Sequence, residues 1–317
     1  GINAEYGDMS HKETAAETAY DAIASKASAW KAGYFQDPKF HLVCKPHPQK
    51  KDPMINRGTW FRVQLFQKLL QQFLNENEKC QILVLGGGLD TLYYRLQHTK
   101  QQKFIEVDLP QITQIKMKKL NGIQKADNLI QIEENYEIYS DDLEEDFIPR
   151  LNLDFTLPTA IVSDVVLSYI ESDYTVQLFD NIKQYFNNTN KVLFIGFEMV
   201  NPHDAFGDQM IFNMSQREIF MPTFAEIGYV TSYRRQLMKF AEKTIVQLAW
   251  GLYNKFEGKA QMEQLEFLDE YEQFQMIMEH YAVIIGCKGI NVDGLGKYDV
   301  FDENGPETQQ LKDDHFM

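Results

Sequence analysis

Residues 81–96 read Gln-Ile-Leu-Val-Leu-Gly-Gly-Gly-Leu-Asp-Thr-Leu-Tyr-Tyr-Arg-Leu. The first five residues, four of them aliphatic, are typical of a buried parallel strand, and three glycines then lead into a segment of helical character. Because glycine has no Cβ atom, a ligand can lie against the backbone, and the N–H groups of a following helix favour anionic groups. The stretch predicts a ligand-binding turn at the carboxyl end of a strand, although three glycines also suit a simple tight turn.

Two common nucleotide motifs do not match this turn. A dinucleotide fingerprint requires its third glycine where this chain has Thr91. A phosphate-binding loop ends in Gly-Lys-Ser or Gly-Lys-Thr, which does not follow these glycines. The turn therefore argues against both a nicotinamide site and a nucleoside triphosphate site.

The composition is that of an acidic α/β protein. With 317 residues and 44% hydrophobic content, the chain can bury the core of one large domain. It carries 31 Lys and Arg against 46 Asp and Glu, which gives a formal charge of −15. Such a charge disfavours a nucleic acid or an anionic membrane as a partner, so an anionic substrate must meet a local basic patch.

The three cysteines Cys44, Cys80 and Cys287 are odd in number and far apart, and they lack the spacing of metal ligands. We interpret them as free thiols in a reducing compartment and expect no metal. No apolar run approaches the length of a membrane span, and residues 1–20 are polar rather than signal-like. We therefore expect a cytoplasmic protein with a mobile N-terminus.

Two helices are predicted before the glycine turn. Residues 15–31, which include Lys26, are rich in alanine, and residues 57–75 carry apolar side chains at helical spacing. Arg62 lies on the apolar stripe of the second helix, where a guanidinium group needs a partner. A structural ion pair and an anion-binding site both remain open, and we favour the anion-binding site because this helix leads into the glycine strand.

Acidic residues follow the next two predicted strands. Glu106 and Asp108 end a strand about 20 positions past the glycine turn, where Rossmann-like folds bind a ribose diol. Strand alternation places both on one face, so either could bind the diol while the other caps the turn. Further along, Asp142 and Leu143 could contact an adenine, although the acidic run around them also suits a helix start or an exposed loop.

Asp164 interrupts the apolar strand predicted for residues 159–169. A carboxylate in such a strand needs a donor, which the amine of a bound cofactor would supply. A helix over residues 174–186 and a strand over residues 191–198 continue the alternation that begins at residue 81. The pattern predicts an α/β fold with a Rossmann-like doubly wound parallel sheet and a helical N-terminal extension.

Residues 201–227 form a predicted helical insertion and a candidate substrate lid, in which Met210, Phe212 and Met214 are interpreted as core residues. After it we predict a strand, a helix and a last strand, over residues 229–238, 265–280 and 281–286. We expect one domain over residues 21–300 and a polar tail over residues 301–317.

Several segments resemble the leucine carboxyl methyltransferase family. They are Ile55-Asn56-Arg57-Gly58 followed by Phe61-Arg62-Val63, the turn at residues 85–91, Glu106-Val107-Asp108 before Pro110, and Leu265-Glu266-Phe267-Leu268-Asp269-Glu270 with His280-Tyr281. They occur in the same order over roughly residues 20–300, which is more specific than any single motif. The resemblance implies an S-adenosylmethionine-dependent enzyme that methylates the C-terminal leucine carboxylate of the protein phosphatase 2A catalytic subunit.

By position, the resemblance implies that the cofactor pocket is lined by Lys26, Arg62, Gly86, Asp108, Asp142, Leu143 and Asp164. Tyr169 and the basic groups Lys26 and Arg62 would face the substrate carboxylate as catalytic residues. The sequence departs from the family in two places: the turn is more often Gly-Ala-Gly, and Asp164 commonly is Glu. The resemblance prefers Asp108 over Glu106.

We expect direct in-line transfer of the methyl group. A carboxylate is already ionised near neutral pH, so no general base is needed, and alignment and exclusion of water should drive catalysis. Arg62, Lys26 and Arg57 would supply the local positive field.

Two alternatives are a related methyltransferase, acting on a small-molecule carboxylate or a tRNA wybutosine precursor, and a non-catalytic scaffold that binds a phosphatase. The acidic charge and the lack of a second large repeat domain argue against the tRNA substrate.

Overall fold

A computed structural model describes residues 19–290 and residue 292. Its centre is a nine-stranded sheet with the order β3-β4-β5-β2-β1-β6-β7-β9-β8. The strands are β1 (Cys80–Leu85), β2 (Gln102–Asp108), β3 (Ile123–Ala126), β4 (Leu129–Glu133), β5 (Tyr136–Ser140), β6 (Thr159–Asp164), β7 (Val192–Met199), β8 (Lys243–Leu248) and β9 (Tyr281–Lys288).

The helices, in chain order, are α1 (Ala24–Lys31), α2 (Phe40–Val43), α3 (Pro53–Glu76), α4 (Leu92–Arg95), α5 (Pro110–Lys119), α6 (Ser172–Tyr185), α7 (Ala205–Gln216), α8 (Pro222–Ile227), α9 (Val230–Leu237), α10 (Ala249–Lys255), α11 (Lys259–Met262) and α12 (Tyr271–Met278). Two short 3₁₀ helices cover Ile148–Arg150 and Leu167–Tyr169.

The five central strands are parallel, and both edges of the sheet are antiparallel. This arrangement confirms the predicted α/β, Rossmann-like class. The residues between α5 and β5, for which the sequence showed no strand pattern, form the antiparallel β3–β4 hairpin. Strand β3 is exposed throughout and β4 is mainly half-buried, so the hairpin lacks the continuous apolar pattern that marks a buried strand.

The register of the central strands positions the site. Leu85 of β1 lies opposite Val107 of β2 and opposite Ser163 of β6. The next residue along each strand therefore reaches the same edge of the sheet. That edge carries Gly86, Asp108 and Asp164, as expected for ligand sites in parallel sheets.

Helix α3 places Arg62 beneath this edge. It starts at Pro53 because the side chain of Asp52 accepts a hydrogen bond from the backbone N–H of Met54, and proline suits the first helical position. Its buried face, which includes Phe61 and Leu70, packs into the core on one side of the sheet. Each such side chain contributes about 1.5–3 kcal/mol relative to an exposed one.

Two predictions after the insertion were wrong. Residues 229–238 contain helix α9 rather than a strand, because Val230, Tyr233 and Leu237 form a buried face at helical spacing. The predicted helix over residues 265–280 begins only at Tyr271. Side chains of α3 hold residues 265–270 in a non-helical conformation. For example, Arg57 Nη2 donates to the carbonyl oxygen of Glu266 at 3.0 Å.

The insertion over residues 201–227 is helical, as predicted, and contains α7 and α8. Met210 and Met214 are partly buried against a small apolar cluster of Met199, Met221 and Phe224. Phe212 is 57% exposed, so its assignment to the core was wrong.

Of the mobile N-terminus predicted for residues 1–20, residues 1–18 lie outside the described residues, as does the predicted polar tail, residues 301–317. The three cysteines are buried and free. None of the helices within residues 19–290 combines the length and the hydropathy of a membrane span.

Candidate active site

The glycine turn is packed tightly against two neighbouring elements and is open at its end. A Cβ atom on Gly86 would lie 2.9 Å from the Val166 side chain, and one on Gly87 would lie 2.3 Å from the Glu106 carboxyl carbon. Gly86 and Gly88 also have positive φ angles of 57° and 54°. A Cβ atom on Gly88 would have no neighbour within 4 Å, so a ligand can approach the turn there.

Asp108 and Glu106 have different surroundings. The Asp108 carboxylate accepts hydrogen bonds from the backbone N–H groups of Gly88 and Leu109, each at 2.8 Å. Glu106 is 5% exposed and accepts from Lys116 Nζ at 2.7 Å and from the Tyr136 hydroxyl at 2.8 Å. Glu106 thus binds core residues behind the turn, whereas Asp108 binds the turn itself.

Asp164, the last residue of β6, forms the centre of the site with Lys26 and Arg62. Lys26 Nζ donates to Asp164 Oδ2 at 2.6 Å, and Arg62 Nε lies 3.2 Å from Asp164 Oδ1. Burial opposes the ionisation of Asp164, but the charges of Arg62 and Lys26 outweigh it and hold the pKa of this carboxyl below its usual value. The carboxylate is therefore ionised at neutral pH.

The Arg62–Asp164 contact is an ion pair without hydrogen-bond alignment. Arg62 Nε and Asp164 Oδ1 are both buried, and neither has a hydrogen-bond partner among the described residues. Unsatisfied buried polar atoms cost about 1–3 kcal/mol each. A ligand carrying an ammonium and a carboxylate group could satisfy both atoms.

Asp90 holds Lys26 from the other side. Lys26 Nζ donates to Asp90 Oδ2 at 2.8 Å. Arg95 binds both oxygens of the same carboxylate, at 2.7 and 3.0 Å, and also contacts the buried Asp37 at 3.1 Å. Burial disfavours the charge on Asp90, yet Arg95 and Lys26 hold the pKa of Asp90 well below its usual value. This network fixes the ammonium group of Lys26 beside Asp164.

Asp90 lies within the glycine turn, but no role was predicted for it from the sequence. The signal was available, since an acid directly after a glycine turn at a strand end lies at the ligand edge of the sheet.

Tyr169 ends the 3₁₀ helix that follows β6, and it is 41% exposed. Burial, with smaller contributions from Tyr281 and Glu198, raises the pKa of Tyr169 to about 12. Its hydroxyl therefore remains protonated at neutral pH and can donate a hydrogen bond. Tyr281, which sequence reasoning did not select, stacks on Phe197 with ring centroids 5.1 Å apart, and the Arg62 guanidinium lies 5.9 Å from the same Phe197 ring.

Asp142 and Leu143 lie just beyond the end of β5, one strand further from Asp164 than β2. Asp142 is exposed, and its Oδ1 accepts from the backbone N–H of Glu144 at 2.9 Å. Leu143 is partly buried against the core. Ser140, the last residue of β5, lies opposite Asp108, so Asp142 and Leu143 follow β5 at the ligand edge of the sheet. Neither residue has a hydrogen bond or ion pair to the Lys26–Asp164–Arg62 group.

Arg57 has a different function from the one expected. Its guanidinium donates to the Tyr271 hydroxyl at 3.1 Å and to the carbonyl oxygens of Glu266 and Glu263 at 3.0 and 3.3 Å. These donors hold residues 263–271 against α3, so they do not contribute to binding at Asp164.

Within the described residues, no group of three or more His, Cys, Asp and Glu side chains is arranged to hold a metal ion.

The parallel sheet, the glycine turn at its edge and the acid at the end of β2 define a Rossmann-like α/β domain that binds a nucleoside-containing ligand at this edge. A solved structure from Thermobifida fusca, whose methyltransferase activity is assigned but not established, has the same fold: its TM-score is 0.51 at 15% identity, covering 75% of this chain and 82% of that one. The chain belongs to the leucine carboxyl methyltransferase family, whose profile matches residues 10–183.

A leucine carboxyl methyltransferase 1 homolog from Arabidopsis thaliana is 32% identical over 83% of this chain and 86% of its own length. The tRNA wybutosine-synthesizing protein 4 of Rattus norvegicus is 26% identical over 84% of this chain but only 43% of its own length. The predicted family is thereby confirmed, as are the methyltransferase activity and the cofactor S-adenosylmethionine.

Proposed function

We propose that this enzyme methylates the α-carboxylate of a C-terminal leucine, and that its protein substrate is the catalytic subunit of protein phosphatase 2A. The observation that carries the proposal is the buried Lys26–Asp164–Arg62 group between the glycine turn and Tyr169. It places two cationic donors, the Lys26 ammonium and the Arg62 guanidinium, at the ligand edge of a protein whose formal charge is −15. An anionic substrate can bind here through direct hydrogen bonds and ion pairs with these two groups.

The polar groups of the site match the parts of S-adenosylmethionine. Asp164 Oδ1 could accept the amino group of the cofactor, and the Arg62 guanidinium could bind its carboxylate. Each Asp108 oxygen accepts one backbone N–H group and keeps a lone pair for a ribose hydroxyl. When bound, the cofactor supplies an electrophilic methyl group on a sulfonium. Asp142 and Leu143 remain proposed neighbours of the adenine.

The chain needs no general base for this reaction, because a terminal carboxylate is ionised at neutral pH. We assign Arg62 and Lys26 to orienting the substrate carboxylate. Tyr169 can donate its hydroxyl proton in a hydrogen bond to one carboxylate oxygen. Holding the other oxygen in line and excluding water would provide most of the acceleration.

An apolar surface beside these groups supports leucine as the terminal residue. Val165, Met210, Met214 and Tyr281 are partly buried against the Met199, Met221 and Phe224 cluster. Val165 directly follows Asp164, so this surface adjoins the charged group. We propose that residues 201–227 form a lid whose methionines contact the leucine side chain, within a single domain over residues 21–300.

The decisive experiment is transfer of labelled methyl groups to the phosphatase catalytic subunit, either intact or lacking its terminal leucine. We expect labelling of the intact subunit alone. Equal labelling of both forms would overturn the substrate assignment. Undermodified tRNA and free leucine serve as parallel acceptors, because the match to a wybutosine-synthesizing protein makes a tRNA carboxylate the second candidate.

The three buried free thiols support a reducing compartment, and we propose that the enzyme is cytoplasmic.

A further inference from the structure

Glu198 is a fully buried acid that the proposed reaction does not use. It lies near the end of β7, and its carboxylate accepts five hydrogen bonds from the β6 end and the segment after it. Oε1 accepts from the Ser163 hydroxyl at 2.9 Å and from the N–H groups of Val166 and Leu167 at 3.0 Å. Oε2 accepts from the N–H and the hydroxyl of Ser168, at 3.2 and 2.9 Å.

The segment that Glu198 binds is strained. Val165 has a φ angle of 52°, a left-handed conformation that a β-branched residue rarely adopts. Such a conformation persists only where the surrounding contacts determine it, and it is common at functional sites. The N–H of Val165 donates to the carbonyl oxygen of Phe197 at 2.7 Å. Two adjacent residues of β7, Phe197 and Glu198, thus hold this segment.

The segment connects the main groups of the site. Asp164 precedes it, Tyr169 follows it, and the Val166 side chain contacts the glycine turn at Gly86. A shift of residues 165–168 would therefore move Asp164 away from Lys26 and Arg62 and change the position of the Tyr169 hydroxyl.

An uncharged residue could have filled the same space at lower cost, because burying a carboxylate is unfavourable. Burial raises the pKa of Glu198 to about 7, even though Leu167, Ser163 and Ser168 donate to it. Five donors converge on this group, and its ionised form accepts from all of them at once, whereas the protonated acid, a glutamine or an apolar residue cannot.

We propose that Glu198 is a positioning residue, whose carboxylate holds residues 165–168 in the strained conformation that aligns Asp164 and Tyr169 for cofactor and substrate. This inference rests on the proposed assignment of Asp164 and Tyr169 to the site, and it does not depend on which carboxylate is methylated.

The first test replaces Glu198 with its nearest neutral analogue, Glu198→Gln. One oxygen becomes an NH₂ group that faces N–H and O–H donors, so the segment loses its acceptors on that side. We expect the Kd for S-adenosylmethionine, measured by calorimetry, to rise roughly tenfold or more. Since Tyr169 also moves, kcat measured at saturating cofactor should fall as well.

The second test uses the strain at Val165. Glycine adopts a positive φ angle without cost, so Val165→Gly should make the segment less dependent on Glu198. We therefore expect the double variant Val165→Gly with Glu198→Gln to bind the cofactor more tightly than the product of the two single effects predicts. Strict additivity in this cycle would overturn the proposal.

Gln102→Met provides a matched control for lost stability. The buried amide of Gln102 donates to the carbonyl oxygens of Leu74 and Asn77 at 2.7 and 2.9 Å, at the opposite end of the sheet. Its loss should lower the midpoint of urea unfolding and leave the Kd for the cofactor within about twofold.

A folded Glu198→Gln variant with unchanged Kd and kcat would also overturn the proposal. If this variant does not fold, Ser168→Ala removes one donor and should raise the Kd for the cofactor roughly two- to fivefold. An unchanged Kd in Ser168→Ala would likewise overturn the proposal. A wild-type enzyme that binds the cofactor but does not methylate the phosphatase would refute the substrate assignment alone.

Discussion

Lys26 Nζ lies 2.6 Å from Asp164 Oδ2, which joins helix α1 to the end of the central strand β6, 138 positions later in the chain. The side chains of Lys26 and Asp164 are only 6% and 20% exposed. The N-terminal extension is therefore part of the binding site rather than an addition to a complete methyltransferase sheet. The same contact predicts how the site responds to mutation and to pH.

Lys26→Met should weaken both the fold and the site. It removes the donor shared by Asp90 and Asp164 and leaves two partly buried carboxylates with fewer partners. We expect the free energy of unfolding in urea to fall by about 1–3 kcal/mol and the Kd for the cofactor to rise about tenfold. Lys31→Met, on an exposed position of the same helix, is the control. Equal effects of the two substitutions would contradict a specific role for Lys26.

Arg62→Ala should reduce activity with little loss of fold, because Arg62 is bonded to Asp164 by an imperfect ion pair. We expect kcat/KM for the phosphatase to fall about 100-fold and the Kd for the cofactor to rise about tenfold. Arg62→Lys should recover only part of this loss, since an ammonium group cannot present two parallel donors.

Lys68→Ala on the same helix is the control for Arg62→Ala. Its ion pair with Glu257 lies at the surface, where such pairs contribute about 0–1 kcal/mol. Wild-type kinetics for Arg62→Ala would exclude Arg62 from the site.

Strong local periodicity made much of the fold predictable from the sequence. The apolar run of β1 and the helical spacing in α3 identified both elements, and they placed Arg62 on the inward face. Helix α9 was misassigned because Thr231 and Tyr233 are residues that strands favour, and packing against β8 and β9 decided the outcome. Such packing acts between distant segments and leaves no local signal.

The site was predictable where a residue is unusual for its own segment. Asp164 was selected because a carboxylate interrupts an apolar strand. Glu198 is equally unusual in the strand Val-Leu-Phe-Ile-Gly-Phe-Glu-Met, so it could have been selected in the same way. Lys26 could be assigned only through the family resemblance, because no spacing within a sequence reveals a contact between residues 138 positions apart.

Acidification should selectively remove the stabilising effect of Lys26. The pKa values of Asp90 and Asp164 are held below their usual values in the folded protein, so the unfolded chain binds more protons. Their ion pairs thus stabilise the fold above about pH 4, and this contribution is lost as the pH falls through the folded-state pKa values. We expect the difference in unfolding free energy between wild type and Lys26→Met to shrink below about pH 4.

Urea unfolding at a series of pH values between 7 and the acid limit of the folded protein would measure this difference. The difference between wild type and Lys31→Met should stay constant over the same range, because Lys31 is exposed. A gap between wild type and Lys26→Met that does not change with pH would mean that Lys26 acts through packing rather than charge.

Strand alternation places Asp108 and Glu106 on one face, but their substitutions should have different effects. Replacing Asp108 should weaken cofactor binding, whereas replacing Glu106 should lower stability. Asp108→Asn replaces an acceptor at the open end of the glycine turn, so we expect the Kd for the cofactor to rise about tenfold with a small change in stability. Glu106→Gln leaves the fully buried ammonium of Lys116 without its counter-charge. Breaking a buried pair in this way costs about 3–5 kcal/mol of unfolding free energy.

In the fraction of Glu106→Gln enzyme that remains folded, the Kd for the cofactor should stay within about threefold of the wild-type value. The reason is that Glu106 binds Lys116 and Tyr136 behind the glycine turn. Calorimetry with the cofactor and urea unfolding of the same two preparations would test both effects together. The reverse pattern, with cofactor binding lost in Glu106→Gln and unfolding free energy lost in Asp108→Asn, would exchange the two roles. It would also require the Glu106 carboxylate to leave Lys116 when the cofactor binds, since the present contacts direct it into the core.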